Sequence, residues 1–267
     1  MGTLGDLRVN RIGYGTMKLT GWPRGEAPPR DTALAILRRA VELGVNHLDT
    51  SDYYARDGVA ANELIRSALY PYQRDLVIVT KVALVNPADV EQLRGGVEAN
   101  LRSLGVDRLD VVNLRLSDRG PSDELLETAL ATLQTMVDEG LIRHLGVSNV
   151  TAAQVARARA AAAIVCVQNL YNISARDDDP LVDTCAAAGI TYVPFFPVGG
   201  FQPLVGAALD AVAARHGATV AQVALAWLLA RSPNIALIPG TGSLAHLEEN
   251  IAAAGLGLTE EDLAELG

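Results

Sequence analysis

The sequence predicts an α/β protein built as a (β/α)8 TIM barrel, and two observations support this prediction. Short apolar, β-rich stretches alternate with longer helical patterns along the 267 residues, which is typical of successive βαβ units around a parallel sheet. No change of composition and no Pro/Gly/Ser-rich linker divides the chain, so we expect a single domain over residues 1–267 and a closed barrel. The predicted strands are residues 11–16, 46–49, 76–82, 109–116, 142–148, 164–168, 191–196 and 235–238.

Each predicted strand is followed by a helical pattern with recognisable ends. Asp31 and Thr32 lie where the first helix begins, and Gly44 follows its end, where a left-handed backbone is favoured. Residues 4–10 alternate weakly and are expected to form a short N-terminal β-hairpin at the bottom of the barrel. Two helical patterns, 203–216 and 259–266, fall outside the repeat and are interpreted as extra packing helices.

Composition restricts the kind of partner. The chain has 22 basic and 31 acidic residues, a net charge of −9 and no run of basic residues, which argues against nucleic acid or an anionic membrane and favours a small-molecule substrate. No apolar run is long enough to cross a membrane. Cys166 and Cys185 lack metal-ligand spacing, so we expect reduced thiols in a cytoplasmic protein without a metal. A monomer or a small homo-oligomer is expected.

The chemistry is expected where strands end, at the mouth of the barrel. Lysine occurs only at positions 18 and 81, and Lys81 ends the third strand. Asp49, at the end of the second strand, is its natural partner, because opposite charges about 4 Å apart gain about 4 kcal/mol at an effective dielectric constant near 20. A protonated lysine beside Tyr54 would lower the tyrosine pKa from about 10 and make the phenol a proton donor and acceptor. Alone, Asp49–Lys81 could equally be a structural ion pair.

Several motifs resemble the aldo-keto reductase superfamily. Asp-Thr-Ser-Asp-Tyr-Tyr at 49–54 and Thr-Lys at 80–81 are followed, in the family's order, by matching segments at 146–149, 168–172, 194–197 and 238–250. The resemblance implies hydride transfer between the nicotinamide of NADP and a carbonyl, with Tyr54 as general acid, Lys81 tuning it and Asp49 holding the lysine. The Gly-x-Gly-x-x-Gly signal of a Rossmann dehydrogenase is absent, whereas this family binds its cofactor extended across the barrel mouth.

The same resemblance implies the cofactor contacts. Ser148, Asn149 and Gln168 would hydrogen-bond the nicotinamide carboxamide, and Phe195 would stack on the ring. Taken alone, each of these would more often be ordinary strand-end or core material. The other predicted cofactor-binding residues are Thr16, Met17, Asp49, Pro197, Val198, Gly240, Thr241, Ser243, His246 and Asn250.

The segment after the eighth strand bears on the choice between NADP and NAD. Thr241 and Ser243 precede a helix, and a helix N-terminus favours an anion such as phosphate. Many relatives carry a Lys and an Arg for the 2′-phosphate where this chain has Gly240 and His246, which weakens the case for strict NADP preference. The hydroxyls, a partly charged His246 and the helix dipole still favour NADP over NAD. The alternative is a simple turn and N-cap.

The fourth strand departs from the family pattern, because Arg115 stands where most aldo-keto reductases have a His. An arginine cannot shuttle a proton but offers several donors. Our hypothesis is that Arg115 stabilises the developing oxyanion and lowers the pKa of Tyr54, or binds an anionic or phenolate oxygen of the substrate. The alternative is an ion pair with Asp52 or Asp118.

The segment 111–115, Trp22 in the first loop and 194–201 together resemble the pyridoxal reductase branch of the superfamily. This makes pyridoxal a candidate substrate, with Trp22, Tyr54 and Arg115 as the substrate-binding residues. His47 and His144 are interpreted as packing residues, His47 hydrogen-bonded in the core and His144 within the fifth strand.

Two other functions stay open. Lys81 could form a Schiff base in a lyase of the same architecture, although a lysine paired with a carboxylate is a poor nucleophile. The other alternative is a cofactor-binding regulatory subunit with incidental reductase activity. The presence of Asp49, Tyr54 and Lys81 together argues against it.

Overall fold

The barrel is a parallel sheet that curls until its first and last segments meet. The computed structural model describes residues 1–84, 89–117, 123–202 and 204–267, with no account of the side chains of Asp89 and Asp123. The strands are β1 Gly2–Leu4, β2 Leu7–Val9, β3 Tyr14–Gly15, β4 His47–Asp49, β5 Ala55–Arg56, β6 Val59–Ala60, β7 Val77–Leu84, β8 Leu109–Leu116, β9 Ile142–Ser148, β10 Ile164–Gln168 and β11 Thr191–Tyr192. Within the described residues, the barrel sheet has the order β11-β10-β9-β8-β7-β4-β3.

The ring closes through the segment predicted as the eighth strand. Leu237 forms a parallel bridge with Ile12, and Ile235 forms one with Tyr192. The backbone N–H of Gly13 donates to Leu237 O over 2.7 Å. The predicted (β/α)8 barrel is therefore confirmed, with residues 235–238 pairing as bridges and not as a regular strand.

The first and seventh strands are also shorter than predicted. Regular pairing in the seventh ends at Tyr192 instead of residue 196. Val193 N and Phe195 N still donate to Val167 O and Asn169 O, over 2.8 Å each, but Pro194 between them lacks the backbone N–H that a regular ladder needs.

The helices surround this sheet. The helix at Ala207–His216 corresponds to the predicted pattern 203–216, of which Pro203 lies outside the described residues. The helix at Glu260–Leu266 corresponds to 259–266, with Thr259 as its N-cap. Gly44, which follows the first helix, has a φ of +91°, the predicted left-handed conformation. The helices are α1 Arg30–Glu42, α2 Ala61–Leu69, α3 Asp89–Leu104, α4 Asp123–Asp138, α5 Ala152–Ala161, α6 Asp179–Ala187, α7 Ala207–His216, α8 Val220–Arg231, α9 Leu244–Ala252 and α10 Glu260–Leu266.

The N-terminal hairpin β1–β2 closes the bottom of the barrel. Leu4 and Val9 pack with Val77 and Val79 in the inner hydrophobic cluster. Asp6, in the turn of the hairpin, accepts hydrogen bonds from β9. The side chains of Arg143 and His144 reach it over 2.5 and 2.6 Å respectively.

Both histidine predictions need correction. His144 does not pack only within its strand, because it also holds the hairpin through Asp6. His47 is fully buried as expected, but neither ring nitrogen has a hydrogen-bond partner among the described residues. Burial lowers the pKa of His47 to about 4 and keeps the ring neutral.

Cys166 and Cys185 are buried free thiols, as predicted. No single helix in the described part of the chain is long and apolar enough to cross a membrane.

Candidate active site

Asp49 and Lys81 form a buried ion pair at the carboxyl ends of neighbouring strands. In the parallel register, Asp49 lies beside Val79, so Lys81 projects into the barrel two residues beyond that pair. Its Nζ lies 2.6 Å from Asp49 Oδ1, and the two side chains are only 2% and 4% exposed. Lys81 Nζ also donates to Thr50 O over 3.0 Å. These contacts pair the buried charge and give hydrogen-bond partners to two of the three donors of the ammonium.

Asp49 has further partners that fix its orientation. Its Oδ2 accepts from Gln168 Nε2 over 2.7 Å, across the barrel. Its backbone oxygen accepts from both the backbone N–H and the hydroxyl of Thr16 over 3.0 Å. Thr16, predicted as a cofactor residue, is fully buried in this contact and orients Asp49.

Tyr54 lies directly above this pair. Lys81 Nζ is 4.9 Å from the centroid of the Tyr54 ring, and the tyrosine is 8% exposed. Burial and the negative charge of Asp49 raise the pKa of Tyr54, and the charge of Arg115 lowers it. The prediction of a lowered pKa is therefore wrong, because desolvation of the phenol and the charge of Asp49 outweigh the charge of Arg115.

Arg115 faces the same cleft. The register of β8 with β9 places Arg115 beside Ser148, and its Nη1 donates to Ser148 Oγ over 3.1 Å. Its guanidinium carbon lies 5.2 Å from the Phe195 ring centroid. Among the described residues Asp52 forms no ion pair with it, and Asp118 lies outside those residues.

The cleft is walled by aromatic rings. Trp22 lies 5.3 Å from Tyr54 and 5.8 Å from Tyr53, measured between ring centroids. Phe195 and Phe196 meet edge to face at 5.3 Å on the other wall. Aromatic faces of this kind favour contact with a planar aromatic ligand. The lining residues are Gly15, Met17, Lys18, Trp22, Asp49, Tyr53, Tyr54, Arg115, Gln168, Phe195, Phe196, Pro197, Val198, Gly200, Ile238 and Gly240.

The structure thus brings most of the predicted site residues to one cleft. Asn149 is turned away, since its amide donates to Leu116 O over 2.9 Å. His246 is exposed on α9, and Asn250 is buried in that helix. Neither lines the cleft, so their predicted roles require a ligand that extends beyond it.

The segment 241–243 forms the turn and N-cap that the sequence left open as an alternative. Ser243 N donates to Thr241 Oγ1 over 3.1 Å, and Ser243 Oγ accepts from His246 N over 3.4 Å. The N-cap of the nine-residue helix α9, Ser243, follows Gly240 of the cleft lining by three residues.

Gly240 is required by the fold. A Cβ at position 240 would lie 2.6 Å from Gly15 O, and one at position 15 would lie 2.7 Å from Ile238 O. A side chain at either position would clash with backbone. The nearest side-chain atom to that Gly240 Cβ position is Lys18 Cγ, at 3.7 Å.

Sequence reasoning missed six lining residues: Gly15, Lys18, Tyr53, Phe196, Gly200 and Ile238. The scarcity of lysine was a usable signal for Lys18, because both lysines of the chain lie at the site. Phe196 and Gly200 could not be found in this way, since they belong to a loop whose path depends on tertiary contacts.

The residues present fit a nicotinamide dinucleotide. Gln168 Oε1 is buried and has no hydrogen-bond partner among the described residues, and Gln168 lines the cleft. A carboxamide N–H of a ligand would satisfy this acceptor. Gly15 and Gly240 also line the cleft, so a ligand there would contact backbone.

A parallel barrel whose strand ends hold a buried aspartate, lysine and tyrosine defines an enzyme that performs acid–base chemistry at the barrel mouth. The sequence pattern of the Aldo/keto reductase family matches residues 11–267. The chain therefore belongs to the aldo/keto reductase family of oxidoreductases, as its motifs predict.

Three known proteins illustrate the similarity. Pyridoxine 4-dehydrogenase of Escherichia coli (strain K12) is 53% identical over 277 residues, covering 99% of this chain and 96% of that protein. A thermostable aldo-keto reductase solved with the inhibitor epalrestat has a TM-score of 0.84 and 32% identity, covering 97% of this chain and 94% of that chain. An aldo/keto reductase from Klebsiella pneumoniae, solved with NADP and acetate, has a TM-score of 0.83 and 29% identity. The match covers 97% of this chain and 90% of that chain.

Proposed function

We propose that this enzyme reduces an aromatic aldehyde of the pyridoxal type to its alcohol, with NADPH as hydride donor. The observation that carries the proposal is the position of Tyr54, which lies above the buried Asp49–Lys81 pair and forms one wall of a cleft with Trp22. The 53% identity with a pyridoxine 4-dehydrogenase supports this class of substrate.

Tyr54 is the proton donor in this proposal. NADPH, when bound, supplies the hydride to the carbonyl carbon. Burial raises the pKa of Tyr54, so its hydroxyl carries a proton throughout the neutral range and donates it to the carbonyl oxygen. Alcohol oxidation requires tyrosinate instead, which the positive charges of Lys81 and Arg115 would stabilise.

Within the described parts of the chain, Arg115 has donors left for the substrate. A guanidinium has five N–H donors, and one group of Arg115 is occupied by Ser148. A fixed positive charge here would stabilise negative charge developing on the carbonyl oxygen, or pair with the phenolate of a pyridoxal ring. The aromatic walls would hold the ring itself.

The cofactor would occupy the floor and rim of the cleft. Gln168 would accept from the carboxamide, and Phe195 would cover the nicotinamide ring. Lys18, beside Gly240, would provide the cation that position 240 cannot carry. Together with the N-terminus of α9, it favours NADP over NAD.

The geometry disfavours the lyase alternative. Lys81 Nζ donates to the Asp49 carboxylate and to Thr50 O, and an ammonium has no lone pair with which to attack a carbonyl. Borohydride treatment with substrate would trap an adduct on Lys81 only in a lyase. Very tight NADPH binding with negligible turnover would instead support a regulatory subunit.

The test is a panel of aldehydes, including pyridoxal, assayed with NADPH and NADH. Tyr54→Phe should lower kcat about 10²- to 10⁴-fold, because it removes the general acid. Tyr53→Phe is the matched control, since it removes the neighbouring hydroxyl from the same cleft and should retain most activity. Full activity in Tyr54→Phe would refute the mechanism.

A further inference from the structure

The chain neighbours of the ion pair point away from the barrel interior. Side chains alternate along a strand, so Thr50, which follows Asp49, and Thr80, which precedes Lys81, face the surrounding helices. Both threonines are fully buried. They therefore need hydrogen-bond partners outside the barrel.

Two asparagines on helices α2 and α3 provide those partners. Thr50 Oγ1 donates to Asn62 Oδ1 over 2.8 Å, and Thr80 Oγ1 donates to Asn100 Oδ1 over 2.5 Å. Asn62 Nδ2 donates to the same Asn100 oxygen over 3.0 Å. The two asparagines together thus join the two strands that carry Asp49 and Lys81.

The network is anchored to the helices on its far side. Asn100 Nδ2 donates to Gly96 O over 2.9 Å within α3, and Asn62 Nδ2 also donates to Ser103 Oγ over 2.9 Å. Asn62 and Asn100 are 1% and 0% exposed. A buried network in which each of these groups is bonded holds one geometry, because breaking any bond leaves a costly unsatisfied group.

This hydrogen-bond network contacts Lys81 through the backbone oxygen of Thr50. Thr50 O, the backbone oxygen of the residue that Asn62 holds, accepts from Lys81 Nζ over 3.0 Å. A shift of Thr50 would move both this acceptor and the adjoining Asp49. The backbone of Tyr54 is tied to the same region, since Ala61 N, next to Asn62, donates to Tyr54 O over 2.9 Å.

We propose that Asn62, Asn100, Thr50 and Thr80 form a positioning network that sets the placement of Lys81 and Asp49 beneath Tyr54 from outside the barrel. None of the four touches the cleft. They act through Thr50 O and through the strand backbones, and so they are positioning residues. The inference rests on the proposed roles of Asp49, Tyr54 and Lys81.

The test compares Thr80→Val and Asn100→Leu with Thr80→Ser. Valine keeps the shape of threonine without the hydroxyl, and serine restores the hydroxyl. Thr191→Val is the matched control, because it removes another buried barrel hydroxyl, whose partner is Thr3 O at the bottom of the barrel. kcat, KM for NADPH, melting temperature and the pH profile of alcohol oxidation are measured for each.

Thr80→Val and Asn100→Leu should lower kcat about 10- to 100-fold, the effect of small misplacements at a reacting centre. KM for NADPH should stay unchanged. The acidic limb of alcohol oxidation should move to higher pH, because Asp49 without a well-placed ammonium raises the pKa of Tyr54 further. Thr80→Ser should restore the wild-type profile, and Thr191→Val should change only stability.

An unchanged kcat and pH profile in folded Thr80→Val would overturn the positioning role, as would an equal loss in Thr191→Val. If Asn100→Leu does not fold, the kinetics of Thr80→Val alone test the positioning role. The two proposals fail in different ways. If the proposed function is wrong, Tyr54→Phe retains activity. If only this inference is wrong, Tyr54→Phe is inactive and Thr80→Val has normal kinetics.

Discussion

Lys81 Nζ lies 2.6 Å from Asp49 Oδ1 inside the mouth of the barrel, with both side chains almost completely buried. Each member of the pair has a further hydrogen bond: Lys81 Nζ donates to Thr50 O, and Asp49 Oδ2 accepts from Gln168 Nε2. Breaking a buried ion pair by removing one partner is costly, because the other charge stays buried without compensation.

Lys81→Met should therefore destabilise the enzyme as well as inactivate it. We expect a loss of about 3 kcal/mol in the free energy of unfolding, measured by urea denaturation, together with loss of aldehyde reduction. The double variant Asp49→Asn with Lys81→Met should recover much of the stability and none of the activity. Recovery of activity in the double variant would show that the pair serves structure alone.

Arg115→Ala should lower kcat for aldehyde reduction by about 10²-fold, because it removes a donor aimed at the developing oxyanion. The pKa of Tyr54 should rise further, since Arg115 lowers it, so the acidic limb of alcohol oxidation should move to higher pH. Arg115→His should retain or raise activity if Arg115 has the same role as the histidine that most aldo-keto reductases carry at this position. Ser148→Ala is the control, because it removes the arginine's partner and keeps its charge. Unchanged kinetics of Arg115→Ala at every pH would eliminate the role.

Lys18→Met should raise KM for NADPH about 10-fold and KM for NADH much less, because a charge-assisted contact to a phosphate is worth about 1.5–3 kcal/mol. Arg24→Met provides a close control. Lys18 Nζ and the Arg24 guanidinium lie over the same Phe201 ring, at 4.7 and 4.5 Å from its centroid, but only Lys18 lines the cleft. Equal effects on NADPH and NADH would point to the pyrophosphate instead of the 2′-phosphate, and no effect would remove Lys18 from the site.

Asp6→Asn should loosen the hairpin that closes the barrel bottom. Arg143 and His144 lower the pKa of Asp6 to about 2, so its ionised form contributes stability above pH 4 that is lost as the pH falls from 4 to 2. The melting temperature of Asp6→Asn should be below that of the wild type at pH 7, and the two should converge near pH 2. A constant difference across this range would show that the ion pairs do not hold the hairpin.

The barrel itself could be predicted from the alternation of apolar strands with helices, because this pattern repeats every βαβ unit and needs only local information. Asp49, Tyr54 and Lys81 could be singled out for a related reason. Polar residues that end apolar strands of a barrel converge at one mouth, whatever the path of the loops.

Other features depended on contacts between distant segments. The sequence predicted a lowered pKa for Tyr54 from its charged neighbours, and burial in the folded protein reversed the sign. No described residue hydrogen-bonds the His47 ring, and His144 holds Asp6. Neither result could be read from strand alternation.

The sequence by itself therefore determined the architecture, the family and the central charged residues, since these follow from periodicity and from motifs at strand ends. Tertiary structure alone decided which groups surround them. Gly240 packs against Gly15 and Lys18, and Thr80 donates to Asn100. Each of these contacts joins segments that are separated in the chain. Such contacts depend on how strands register and how helices pack, and no local pattern encodes them.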